Sequence, residues 1–178
     1  MTMVIMRKRP FPRQLKTGTV LAVPLGELGF GAAQVAEGGD FAFFDRKFDR
    51  IEDFPPLSDL VQAPLAFRVP MVKGEAKAGG WIFLGDAPLV GSLASESPYW
   101  NQPVGSNQLR IIWQNQFSPA TADAILGMER MAWWMAEQVV QRLQDHFMGR
   151  PNLHAQTINR IKQYDPVTGQ EVKTLASQ

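Results

Sequence analysis

Carboxylates gather in one stretch, FFDRKFDRIEDF, where Asp45, Asp49, Glu52 and Asp53 alternate with Arg46, Lys47 and Arg50. Paired carboxylates are the usual acid and base of hydrolytic chemistry. Alternating sign is equally the pattern of a solvated face whose charges compensate one another. Such a face serves a partner through charge complementarity, which sets on-rate and specificity. Asp45, Asp49, Glu52 and Asp53 are therefore taken as candidates for binding a partner, with a small hydrolase using Asp45 to Asp53 as a third-ranked reading.

Histidine occurs only at His146 and His154, and cysteine not at all. That removes disulfides, thiolate zinc sites and a cysteine nucleophile. His146 and His154 with the neighbouring Asp145 lack the ligand count and spacing of a metal site. His146, near the end of an expected helix, suits a cation facing the negative end of the macrodipole. No G-x-S-x-G motif accompanies the two histidines, so nothing builds a serine triad. The expectation is a chain with no catalytic residues, no metal and no cofactor.

Glycine punctuates KTGTVLAVPLGELGFGAAQVAEGGDFAFFD at Gly26, Gly29 and Gly31. The order G-x-x-G-x-G lacks the dinucleotide spacing, the phosphate-loop lysine and a following helix. Strands on both sides instead make these three hairpin glycines, or small residues where backbones approach closely.

Five tryptophans divide by context. Trp81 falls in a strand and Trp133 on the apolar stripe of the expected helix, so both are read as core. Trp134 then points about 100° away from Trp133. Trp134 and Trp100, the latter in a loop, are the expected exposed anchors, since aromatics are enriched at protein interfaces; stacking on single-stranded nucleic acid is the other use of such rings.

Positioning these residues requires a core, and 178 residues with 45% apolar and 20% charged content are enough for one. Eighteen basic against 17 acidic residues leave a net charge of +1, so no global field selects nucleic acid or an acidic membrane. Arg7, Lys8, Arg9, Arg13 and Lys16 form a local basic cluster, read as a flexible arm over 1–15. An apolar run precedes these charges, the reverse of a signal peptide, and no run approaches the ~18 apolar residues of a membrane span. The expected location is the cytoplasm.

Strands are expected at Thr19–Leu25, Phe30–Ala36, Asp40–Asp45, Leu65 onward and Gly80–Gly85, with a further one in QLRIIWQN. Pro55, Pro56, Leu57, Leu60 and Val61 mark a short helix or irregular crossover. KGEAKAGG and the long stretch Asp86–Asn107 read as loops. One long helix is expected from Ser118, as N-cap, to Gly149, with Ala122, Ile125, Leu126, Ala132, Trp133, Ala136, Val139, Val140, Leu143 and Phe147 on one stripe. The fold class is α+β: a mostly antiparallel sheet of five to six strands, barrel-like in one variant, packed by that helix. A single domain over 16–149 and an extension over 150–178 follow.

The order of these features resembles the immunity protein 26 family of bacterial polymorphic toxin systems. The resemblance rests on KTGTVLAVPLGELGFGAAQV, AFFD, the proline-rich crossover and GGWIFLGDAPL, covering Lys16 to Leu89. The VPLG-x-x-G-F-G segment followed by W-x-x-L-G is its most specific part. What the resemblance implies is a non-enzymatic protein that neutralises a cognate toxin by binding it in the cytoplasm, with no catalytic residues to carry over. The N-terminal arm and the region after Gly149 depart from the family. The alternative function is a small β-barrel that binds nucleic acid through the Arg7–Lys16 arm and Trp100.

Overall fold

Three strands follow one another as the glycine punctuation requires: β1 (Thr19–Pro24), β2 (Phe30–Val35) and β3 (Phe41–Phe44). The computed structural model describes residues 10–172, so Arg7, Lys8 and Arg9 of the basic arm and the last six residues of the extension lie outside the described residues. After a crossover containing α1 (Leu57–Leu60), β4 (Leu65–Val69) pairs with β3, and β5 (Ile82–Asp86) returns across the sheet to pair with β1. The order β4-β3-β2-β1-β5 is antiparallel throughout. Strands β4 and β5 remain as two edges, so the sheet does not close into a barrel.

Both faces of this sheet are covered, which is why β1 to β3 read as continuous apolar runs rather than alternating ones. Val20, Ala22, Ala32, Ala42 and Phe44 point into a cluster with Phe48, Phe54, Leu60, Val61 and Leu93 from the crossover and later loops. The alternate residues Leu21, Val23, Ala33, Val35, Phe41, Phe43, Phe67 and Val69 are buried on the other side. There Trp81 meets Phe41 and Phe43 edge-on at 6.0 and 5.9 Å. Each such ring contributes roughly 1.5–3 kcal/mol by leaving water.

Helix α3 (Ala136–Phe147) packs on this second face. Gly31 permits the approach: a Cβ there would stand 3.3 Å from Leu143 Cδ1 and 3.8 Å from Phe147 Cε2. Gly31 is thus a strand residue of β2 that lets a helix approach closely, as the close-approach reading has it, and not a residue of the hairpin turn. Gly26 and Gly29 do take the left-handed conformation in the turn, at φ 64° and 81°. At Gly29 a Cβ would in addition collide with the Phe48 carbonyl oxygen.

The expected helix from Ser118 to Gly149 is realised only over Ala136–Phe147. Ser118 and Pro119 lie in β8 (Gln116–Ala120), paired with β7 (Leu109–Trp113), which also pairs with β6 (Tyr99–Asn101). Gln114 and Asn115, at φ 49° and 58°, make the two-residue hairpin turn whose twist suits the strands. Pro119 is tolerated because β8 is an edge strand. KGEAKAGG, read as a loop, instead holds α2 (Lys73–Ala78). The chain falls into two compact units, the residues up to Ser97 with Ala132–His154, and Pro98–Met131 with Ala155 onward. That division cuts across the expected single domain over 16–149 and extension over 150–178.

The second unit contains the three-stranded sheet and gives residues 156–172 a defined course. Asn107 donates from Nδ2 to the Tyr164 carbonyl and accepts the Tyr164 N–H at Oδ1, both at 2.8 Å. Gln102 likewise donates to the Lys162 carbonyl at 2.7 Å and accepts the Lys162 N–H at 2.9 Å. Two amide side chains thereby stand in for two rungs of a strand ladder. A turn forms at Asp165, with its Oδ1 accepting the N–H groups of Thr168 at 2.7 Å and Val167 at 2.8 Å. A short helix α4 (Leu153–Ile158) precedes this segment. No helix among the described residues is long and apolar enough to cross a membrane.

Candidate functional site

The carboxylates of FFDRKFDRIEDF end up on the surface, and three of the four, Asp45, Asp49 and Asp53, are answered by a cation. Asp49 Oδ1 lies 3.5 Å from Lys47 Nζ, and Asp53 takes two contacts from the Arg50 guanidinium, at 3.0 and 3.4 Å, plus the Arg50 N–H at 3.0 Å. The hydrogen bond from Arg50 holds the Asp53 carboxyl below its ordinary range. Glu52 is exposed. Asp45, just past β3, meets His146 in the last turn of α3, with Nε2 to Oδ1 at 2.8 Å. Both side chains of that pair are substantially exposed, so its contribution to stability is at most about 1 kcal/mol. Among the described residues the imidazole of His146 has no second hydrogen-bond partner, and no three His, Asp or Glu residues converge as metal ligands.

The two expected tryptophan anchors are buried. Trp100, in β6, is 1% exposed and carries the Arg130 guanidinium 5.1 Å above its ring. Trp134 is 0% exposed. Arg142 of α3 lies 4.9 Å from the Trp134 ring and 4.1 Å from the Phe67 ring, while His154 meets Trp134 edge-on at 5.0 Å. The residue read as core, Trp133, is instead 69% exposed.

The inversion has a local cause. The stretch before Ala136 is extended, not helical, and Trp134 is held against the end of β4 by its N–H to the Pro70 carbonyl at 3.0 Å and a bridge to Met71. In extended backbone neighbours point to opposite sides. Anchoring Trp134 inward therefore turns Trp133 outward.

Trp133 forms one wall of a cleft of about 570 Å³, completed by Gly38, Gly39, Met71, Val72 and Lys73. Val72 is itself 44% exposed. The Gly38–Gly39 rim is the turn between β2 and β3, where φ values of 81° and 86° require glycine. Arg68 of β4 ties that turn down, donating to the Glu37 carbonyl at 2.6 Å and the Ser92 carbonyl at 3.0 Å. Its Nε stands 3.3 Å from Asp40 Oδ2, an ion pair without hydrogen-bond alignment. The apolar wall is thus set on a braced turn and a pinned strand end.

No family model, curated protein or solved structure matches the chain.

Trp133, Val72 and Lys73 were not among the expected site residues. A signal for them exists in the sequence: Gly127 interrupts the supposed helix, at φ 77°, and an extended reading of the residues after it exchanges the roles of Trp133 and Trp134.

Proposed function

We propose that this chain is a non-enzymatic binding protein of the immunity type, which neutralises a cognate protein toxin in the cytoplasm by seating it on the Trp133 surface. The observation that carries the reading is the 69% exposure of Trp133 beside an apolar cleft with a rigid rim. A tryptophan left in water on a folded domain gains on the order of 3–4 kcal/mol when a partner covers it. Central aromatic anchors of this kind dominate protein interfaces. The motif order of Lys16 to Leu89 supplies the toxin as the partner class.

Co-expression with a protein toxin encoded beside this chain tests the proposal. The native chain should restore growth, and Trp133→Ser should abolish that protection while remaining folded. Growth arrest despite the native chain would contradict it, as would full protection by the variant.

A further inference from the structure

The Trp133 cleft continues into a cationic surface. Lys73, whose ammonium lies against Gly39 at the cleft rim, also lines a second depression of about 400 Å³ together with Arg13, Gln14, Gly74 and Lys77. Arg13, Lys73 and Lys77 are exposed, and among the described residues no carboxylate pairs with any of them. Two other cations of this unit are matched by carboxylates: Lys16 Nζ stands 2.9 Å from Asp86 Oδ2, and Arg150 Nη2 3.0 Å from Asp145 Oδ1; Arg46 instead lies over the Phe48 ring. Glu75, the carboxylate between the two lysines of α2, faces α3 instead, with its Oε2 accepting the Ala136 N–H at 3.4 Å. Asp40 at the cleft is engaged by Arg68.

Three uncompensated cations beside an apolar cleft repel one another until a partner brings negative charge to them. We propose that the partner docks through an acidic protein segment, with Asp or Glu residues flanking one apolar side chain that enters the cleft against Trp133, Val72 and Met71. This inference rests on the docking reading above and names the chemistry of the docked segment. The surface favours protein over nucleic acid. Among the described residues its one exposed ring, Trp133, sits among aliphatic walls and the second depression adds only the half-buried Phe11, whereas single strands are held by several rings on which successive bases stack. A net charge of +1 also offers little general attraction to a polyanion.

The test is selection of a random 12-residue peptide library on the full chain, followed by affinity measurement of the enriched peptides at low and high salt. The enriched peptides should carry Asp or Glu around Leu, Ile, Phe or Met. They should bind Lys73→Glu/Lys77→Glu at least 10-fold more weakly than the native chain, and the loss should shrink as salt screens the charges. Failure to enrich any peptide, enrichment without acidic bias, or undiminished affinity for the charge-reversed variant would overturn the inference. A (dT)12 oligonucleotide bound more tightly than every selected peptide, and lost on charge reversal, would overturn it in favour of nucleic acid. Trp133→Ser separates the two levels of the proposal. Acidic peptides that need the lysines but ignore Trp133 would refute the cleft reading, whereas peptides that need Trp133 but ignore the lysines would refute only the acidic partner.

Discussion

Trp133 and Trp134 are adjacent in sequence and opposite in environment: the first is 69% exposed and the second 0%. The hydrogen bond from Trp134 N–H to the Pro70 carbonyl fixes which ring faces the core. This one relationship separates the residue that holds the fold from the residue available to a partner.

Stability should therefore respond to the two rings very differently. Trp134→Ala removes the ring that Arg142 and His154 pack against, and should cost about 3–5 kcal/mol. Trp133→Ser should stay within about 0.5 kcal/mol of the native chain. Urea unfolding of both variants checks this, and a large loss on Trp133→Ser would place that ring in the core.

Gly31 should behave as a contact residue of α3. Gly31→Val pushes a branched side chain toward Leu143 Cδ1 and Leu25 Cδ1, which a Cβ alone would approach to 3.3 and 3.5 Å. Overpacking of this kind costs about 1–3 kcal/mol. Shortening the neighbour in Gly31→Val/Leu143→Ala should make the combined loss smaller than the sum of the single losses, as measured in a double-mutant cycle. Strict additivity would show that the helix does not rest on Gly31.

Asp145 links the end of α3 to pH. Burial pushes its carboxyl up, but hydrogen bonds from Asn152, Gln141 and Arg150 outweigh burial and leave it below the ordinary carboxylate range. The donors approach to 2.8, 3.1 and 3.0 Å. A carboxyl held low in the folded state adds stability above its unfolded value, near pH ~3.9, and loses it as pH falls through the lower folded value. Asp145→Asn should cost about 1–3 kcal/mol at neutral pH and flatten the acid limb of the stability curve. Denaturation midpoints from pH 2 to 7 measure both effects, and an unchanged acid limb would remove Asp145 from the account.

The sheet was legible because its physics is local. Runs such as VLAV and FAFF have to be buried on both faces, and the glycines at 26, 29, 38 and 39 end them where left-handed turns occur. The region from Ser118 to Met135 misled because Ser118 and Pro119 imitate a helix start, and Ile125 and Leu126 extend the apolar stripe. Strand pairing across the Gln114–Asn115 turn overrides that local preference. Helix α2 was hidden in KGEAKAGG by that stretch's three glycines and polar face; only Ala76 within the helix is buried. The candidate site failed with the long helix, since a helical period applied to an extended stretch exchanges inward and outward residues. The carboxylates Asp45, Asp49 and Asp53 stood out as residue types, but only the fold shows each one answered by His146, Lys47 and Arg50.

The most direct measurement is calorimetric titration of the adjacent-gene toxin domain into the native chain and into Trp133→Ser, with thermal unfolding of both run alongside. Trp133→Ser should lose at least about 30-fold in affinity, equivalent to the roughly 2 kcal/mol of an interface anchor, at an unchanged unfolding temperature. Native affinity in Trp133→Ser would contradict docking on Trp133.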